Sequence, residues 1–312
     1  MTDFNHIPVL PDESIASLDI TADGIYVDGT AGGGGHSALI AERLSDKGRL
    51  IAIDQDEEAV AAAGDRLRTY GDRVTIIRDN YRNIKLILDD LGIREVNGII
   101  LDIGVSSHQL DDADRGFSYM KDGPLDMRMD RSASFTAADI VNGYEEKELV
   151  RILRTYGEER YAKAIAENIA VHRSKAPIKT TIELAEIIKA AVPAKARHAN
   201  GNPSMRTFQA LRIEVNHELD ALSGSLDTMI DLLAPHGRLS VITFHSLEDR
   251  IVKETFRRNE NPCTCPPDFP ICICGRKSKG RCVNRKAITA GDKELEVNPR
   301  AHSAKLRTFE KA

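Results

Sequence analysis

The chain has 312 residues, of which 41% are hydrophobic and 29% charged, enough for one large domain or two modest ones, each with its own core. A formal net charge of −5 excludes a protein that coats nucleic acid by bulk charge, though it leaves room for a local basic patch. No apolar run approaches the length of a membrane span, and the opening MTDFNHIPVL lacks a basic start and an apolar core of the signal-peptide kind, so the reading is a cytoplasmic protein with no membrane partner.

Residues 1–22 form a lead-in with a short amphipathic helix expected over Asp12–Leu18. Ile25-Tyr26-Val27 then reads as a buried strand ending in Asp28, followed by the glycine run Gly32–Gly35 and a helix that starts near His36. A buried strand, a glycine turn and a helix N-terminus form a ligand-binding corner of an open α/β sheet. The glycines do not fall on the G-x-G-x-x-G pattern. A second strand, Arg49–Ile53, ends in Asp54, about twenty residues past the corner, where an acid accepts hydrogen bonds from the hydroxyls of a ribose. Together these elements point to a nucleoside cofactor.

The alternation continues with an alanine-rich helix over Asp56–Arg68, a strand over Val74–Ile77 leading to Asn80-Tyr81, a helix over Ile84–Leu91, and a strand over Gly98–Leu101 ending in Asp102. Such alternation predicts a parallel sheet with right-handed crossovers and a ligand at the carboxyl ends of its strands. An Asp after a strand often caps the next helix, but Asp28, Asp54, Asn80-Tyr81 and Asp102 in succession favour a site.

After Asp102 the alternation stops. Helices are expected over Glu145–Tyr156, Glu158–Arg173, Thr181–Ala191 and Arg206–Leu222, with Pro177, Pro193 and Pro203 between them. Residues 111–215 therefore read as a helical domain inserted in a sheet domain of residues 1–110 and 216–312. The sheet pattern returns with a strand over Arg238–Phe244, the run His245–Arg250 opening a helix, and a last strand over Lys305–Phe309.

The acid that directly follows the fourth strand suits a group that accepts hydrogen bonds from an amine. This favours S-adenosylmethionine over a nicotinamide cofactor, with the ribose on Asp54, the adenine against Tyr81 and the methionine end by the glycine corner. A dehydrogenase is one alternative; the same fold kept only for binding or assembly, without catalysis, is another.

The chain resembles the bacterial ribosomal RNA small subunit methyltransferase H (MraW) family. The resemblance is carried by HIPVL at His6–Leu10, YVDGTAGGGGHS at Tyr26–Ser37, AIDQD at Ala52–Asp56 and LDIGVSSHQLDDADRGFSYMKDGPLDMRMD at Leu101–Asp130. It continues in TYGEER at Thr155–Arg160, RTFQALRIEVNHEL at Arg206–Leu219, GRLSVITFHSLEDRIVK at Gly237–Lys253 and NPRAHSAKLR at Asn298–Arg307. It implies an α/β fold: the Rossmann-like sheet of class I S-adenosylmethionine-dependent methyltransferases, with an inserted all-helical, substrate-recognising domain. It implies methyl transfer to N4 of one cytidine in the decoding centre of 16S rRNA, with the small ribosomal subunit as partner. The family's cofactor contacts fall here on Gly34, Gly35, His36, Asp54, Tyr81, Asp102 and Gln109.

For the chemistry itself, Asp102 and the backbone of Ile103-Gly104 are expected to accept the N–H groups of the cytosine amine, with His245 and Ser246 as further candidates. Many amino-methyltransferases carry an acid or Asn, two prolines and an aromatic at this point. Here the run is Asp102-Ile103-Gly104-Val105, so the base is held differently. The sequence is compatible with a homodimer.

Residues 250–290 hold ten Lys or Arg against three acids, which favours a phosphate-contacting surface, with Arg197, His198 and Arg206 added from the helical insertion. All five cysteines lie between Cys263 and Cys282. Without an export signal they do not read as a disulfide framework. Cys263-x-Cys265 and Cys272-x-Cys274 have the residue types of a zinc site, with Cys282 or His302 in reserve, but the spacing is tight. The expectation is reduced thiols and no metal.

Overall fold

The computed structural model describes residues 8–195, 202–266 and 273–312. His6, Ile7, Arg197, His198 and Cys272 lie outside them. The chain divides into two compact units, Met1–Gly104 with Leu219–Ala312, and Val105–Glu218. The division falls a few residues from the 110/111 and 215/216 boundaries expected from the sequence.

The first unit is built on a seven-stranded sheet. Its strands are β1 (Ile25–Asp28), β2 (Arg49–Asp54), β3 (Val74–Arg78), β4 (Val96–Asp102), β5 (Leu233–Thr243), β6 (Gly280–Cys282) and β7 (Lys305–Lys311). Their spatial order is β3-β2-β1-β4-β5-β7-β6. β1 to β5 run parallel, while β7 lies antiparallel between β5 and β6. This is an open, Rossmann-like α/β sheet with an antiparallel edge. The order reverses where β1 sits between β2 and β4, the crevice where open α/β sheets bind ligands.

Period-two alternation sends successive side chains to opposite faces. Val27, Ile51, Ile99, Leu101 and Val241 pack with Ile84, Ile87, Leu88, Leu226, Met229 and Phe256 on one face. Tyr26, Leu50 and Ile100 pack with Ile15, Leu18, Ile40 and Leu44 on the other. Both faces are covered, which is why these strands read as almost unbroken apolar runs. Among the described residues no helix is long and apolar enough to cross a membrane.

Among the elements that differ from the sequence reading, two are informative. The helix expected over Arg206–Leu222 is two helices, Ser204–Asn216 and Glu218–Leu232, because His217 turns left-handed at φ 51. β6 was not expected. It has three residues, with no alternation, and it is held by its pairing with β7.

The second unit is helical around Phe117, Leu125, Met127, Ile140, Leu149, Ile152, Ile165, Leu184, Ile188 and Phe208. Arg115 is 1% exposed in this unit. Its guanidinium donates to the carbonyls of Arg128 (3.0 Å) and Met129 (3.3 Å) and stacks over Phe117. Its neighbour Gly116 has φ 70, and an added Cβ would lie 2.1 Å from the Pro124 carbonyl oxygen. Gly116→Ala is expected to destabilise the protein by about 3 kcal/mol or more, from left-handed strain plus a backbone clash. Thermal denaturation checks this, and an unchanged midpoint would contradict it.

Candidate active site

The carboxyl ends of β1, β2 and β4 bring three acids around the glycine turn. Asp28 is 1% exposed. It accepts from the Ser37 hydroxyl at 2.6 Å and the Thr30 N–H at 3.2 Å. Asp28 therefore ties the end of β1 to the helix Gly35–Ala41 and shapes the turn. Gly34 caps that helix at φ 78, where an L side chain is disfavoured, and its N–H donates to the Ala31 carbonyl at 2.8 Å.

Asp54, at the end of β2, accepts from the Gly32 N–H at 2.8 Å with one oxygen and from the Asp56 N–H at 2.9 Å with the other. Each oxygen keeps capacity for a further donor. Next along the sheet, Asn80 caps the turn Tyr81–Asn83 and donates to Gln55 at 2.7 Å. Tyr81 follows directly, 9% exposed.

Asp102 closes β4. Its own N–H donates to the Thr30 hydroxyl at 2.6 Å, which docks the turn after β1 against the end of β4. Its Oδ2 lies 3.7 Å from His36 Nε2, an ion pair only when the imidazole is protonated. Its Oδ1 is buried and has no hydrogen-bond partner among the described residues. A buried acceptor without a donor is costly, and it marks a place a ligand's N–H can fill.

β5 brings His245 and Glu248. His245 caps the helix Ser246–Glu260 through a capping box with Glu248, and its Nε2 lies 2.9 Å from Glu248 Oε1. Glu248 is fully buried. Its other oxygen accepts from the Phe244 N–H at 2.8 Å and the His245 N–H at 3.2 Å. Glu248 thus fixes the turn that presents His245, while Ser246 stands exposed at the first helical position. Glu248 did not stand out in the sequence as a site residue. The signal was there in a strand end followed by a cap residue with Glu three positions on.

The structure thus gathers Gly34, Gly35, His36, Asp54, Tyr81, Asp102, His245 and Ser246 in the sheet unit, at or next to its strand ends. Gln109 belongs to the helical unit. There its carbonyl accepts from the Ser106 N–H at 3.0 Å in a capping box, and the side chain is 5% exposed.

Electrostatically, burial disfavours the ionised forms of three acids at the strand ends. Burial pushes the Asp28 carboxyl up to about 6, against the pull of its hydrogen bonds from Ser37 and Thr30. Burial pushes Asp54 up to about 6 as well. Asp102 goes furthest, to about 8, through burial and then repulsion from Asp28 and Glu248. Such a cluster favours a cationic ligand that donates hydrogen bonds.

The folded pKa values of these acids lie above their ordinary value of 3.8. Between that value and about 8 the folded state therefore binds more protons than the unfolded one, so stability falls as pH rises through the window. The unliganded protein is expected to melt higher at about pH 5.5 than at about pH 8. Equal or reversed midpoints would contradict the burial of these acids.

The ten basic residues of 250–290 are partly used within the fold. Arg258 pairs with Asp227 at 2.5 Å, Lys279 with Asp231 at 2.6 Å and Arg281 with Glu310 at 2.8 Å. Lys253, Arg257, Arg276, Lys277, Arg285 and Lys286 are exposed, with no ion pair among the described residues.

Known proteins of the same sequence pattern place the chain in a family. Residues 3–312 match the model of the MraW methylase family. Ribosomal RNA small subunit methyltransferase H 2 of Agathobacter rectalis is 62% identical over 310 residues, covering 99% of both chains. Ribosomal RNA small subunit methyltransferase H of Lachnospira eligens is 60% identical over 309 residues, covering 99% of this chain and 98% of the relative. The protein of the same name from Symbiobacterium thermophilum is 54% identical over 308 residues, covering 99% and 97%. The chain belongs to the MraW methylase family.

Proposed function

From that membership, we propose that the protein transfers a methyl group from S-adenosylmethionine to N4 of one cytidine in the decoding centre of 16S rRNA. It acts in the cytoplasm on the small ribosomal subunit. The reading rests above all on Asp102, whose buried Oδ1 lacks a donor at the strand end beside the glycine turn. Full-length relatives named small subunit rRNA methyltransferases support it.

The residues fit the donor. A ligand with a sulfonium and an ammonium is welcome among carboxylates whose ionised forms are each disfavoured by burial. The same cluster repels the pyrophosphate of a nicotinamide cofactor, which disfavours the dehydrogenase reading. S-adenosylmethionine, when bound, supplies an electrophilic methyl on a good leaving group.

The protein's own part is to position and to accept hydrogen bonds. Asp54 receives the ribose hydroxyls on the lone pairs its two backbone donors leave open. Gly34 and Gly35 let the backbone approach the methionine end, and Tyr81 covers the adenine. Asp102 accepts an N–H of the cytosine amine through Oδ1, which draws the nitrogen lone pair out of conjugation and toward the methyl. Positioning of this kind lowers a barrier by roughly 7–11 kcal/mol at best. His245, held by Glu248, orients the base from the β5 side. The helical unit and the exposed basic side chains of residues 250–290 engage the RNA. Turning a base out costs least where it is unpaired.

Incubation with methyl-labelled S-adenosylmethionine and small subunits lacking the modification is expected to label the 16S rRNA, with naked rRNA a poorer substrate. Binding of the donor without label in any ribosomal RNA would overturn the reading.

A further inference from the structure

Beyond the strand ends, one cluster of ligating side chains has no part in methyl transfer. The Sγ atoms of Cys263, Cys265 and Cys274 all lie within 4.8 Å of one another. We propose that these three cysteines form a structural zinc site that pins the basic loop between the helix Ser246–Glu260 and β6.

The distances suit a metal. With Zn–S bonds of about 2.3 Å, the edge of a tetrahedron of thiolates is about 3.8 Å. The Cys274 and Cys263 sulfurs are 3.9 Å apart. That is also almost twice the length of a disulfide bond, about 2.05 Å. The Ile273 N–H points at Cys265 Sγ at 3.4 Å, and a donor of this kind stabilises a thiolate. The tight C-x-C spacing is relieved because the third ligand comes from further along the chain. The proposal takes the zinc reading of these cysteines over that of reduced thiols.

The set is selective. Cys282 stands apart, with its N–H on Glu260 and its thiol pushed up to about 11 by burial and by that carboxylate. His302 does not join the cluster either. The fourth position of the tetrahedron is left to a further ligand.

The surroundings favour the charge and need the cross-link. Two positive charges on zinc against three thiolates leave a net negative knot, which exposed Arg276 and Lys277 balance. The loop closes at its base through the Lys279 N–H on the Asn259 carbonyl at 3.0 Å. Beyond that base its described residues form no helix or strand, and Ile273 is 74% exposed. Described loop residues with so little apolar burial gain their order from a metal. Zinc binding displaces three thiol protons to solvent, with no change of oxidation state.

The test is metal analysis of the full chain, purified reduced, without chelator and with zinc supplied. About one zinc per chain is expected. Cobalt added to the stripped protein is expected to give the near-ultraviolet charge-transfer band of cobalt–thiolate bonds. Cys263→Ser and Cys274→Ser should lose both signals, and Cys282→Ser should keep both. A wild-type chain with no stoichiometric zinc and no cobalt–thiolate band would overturn the site, whatever the variants do. So would retention of both signals in the Cys263→Ser, Cys274→Ser double variant, or oxidation of these cysteines to disulfides in protein handled under reducing conditions.

Discussion

Asp102→Asn is expected to lower methyl transfer about 10²–10³-fold, the cost of losing one charged acceptor aimed at the reacting centre. The substitution keeps the shape and the N–H bond to Thr30 but replaces a carboxylate with a group that offers one acceptor oxygen. It also removes the acid that burial, Asp28 and Glu248 most disfavour in its ionised form. The unliganded variant should therefore be more stable than the wild type at about pH 8 and little different at about pH 5. Activity and stability move in opposite directions, which separates a catalytic role from a structural one. Assays under single-turnover conditions and paired thermal melts read the two effects. A variant with wild-type turnover would remove Asp102 from the chemistry.

Asp54→Ala is expected to raise the KM for S-adenosylmethionine about 100-fold while kcat at saturation changes little. The carboxylate accepts from Gly32 and Asp56 in the unliganded protein, and in the proposed complex also from the ribose. Hydrogen bonds to a charged group contribute about 1.5–3 kcal/mol each, so losing the ribose pair and loosening the Gly32 turn accounts for the size. The split matters because Asp54 is proposed to hold the ribose rather than the reacting centre, so its loss removes binding shared by ground state and transition state. Steady-state kinetics with calorimetric titration of the donor checks it. A fall in kcat with an unchanged KM would reverse the roles given to Asp54 and Asp102.

The parts of the fold legible in the sequence are those that local chemistry dictates. β1 to β4 are mostly apolar runs followed by Asp28, Asp54, the Asn80-Tyr81 pair and Asp102, so both the strands and the ends proposed as a site can be read from pattern. The parallel direction of these strands was legible too, whereas their spatial order is set by packing.

What the sequence hid depends on distant partners. β6 has no pattern of its own and exists because β7 offers an edge. The break at His217 is a single left-handed residue inside a continuous helical pattern. Glu248 looks like one more helix-start acid until its full burial and its bonds to Phe244 and His245 are seen. Gln109 caps its own helix, a role its sequence neighbourhood shows only once Ser106 is seen to bond it. The cysteines are close in sequence, yet only the folded loop shows that Cys274 returns to Cys263 and Cys265 while Cys282 does not.

The most direct test of the account is to identify the modified nucleoside. Small subunits lacking the modification are treated with the protein and S-adenosylmethionine, the 16S rRNA is digested, and the nucleosides are resolved by mass spectrometry against standards. The account predicts a single new product, N4-methylcytidine, from one position in the decoding centre, and its loss with Asp102→Asn. Methylation at a ring carbon or a ribose hydroxyl would contradict it, because Asp102 would then face no amine.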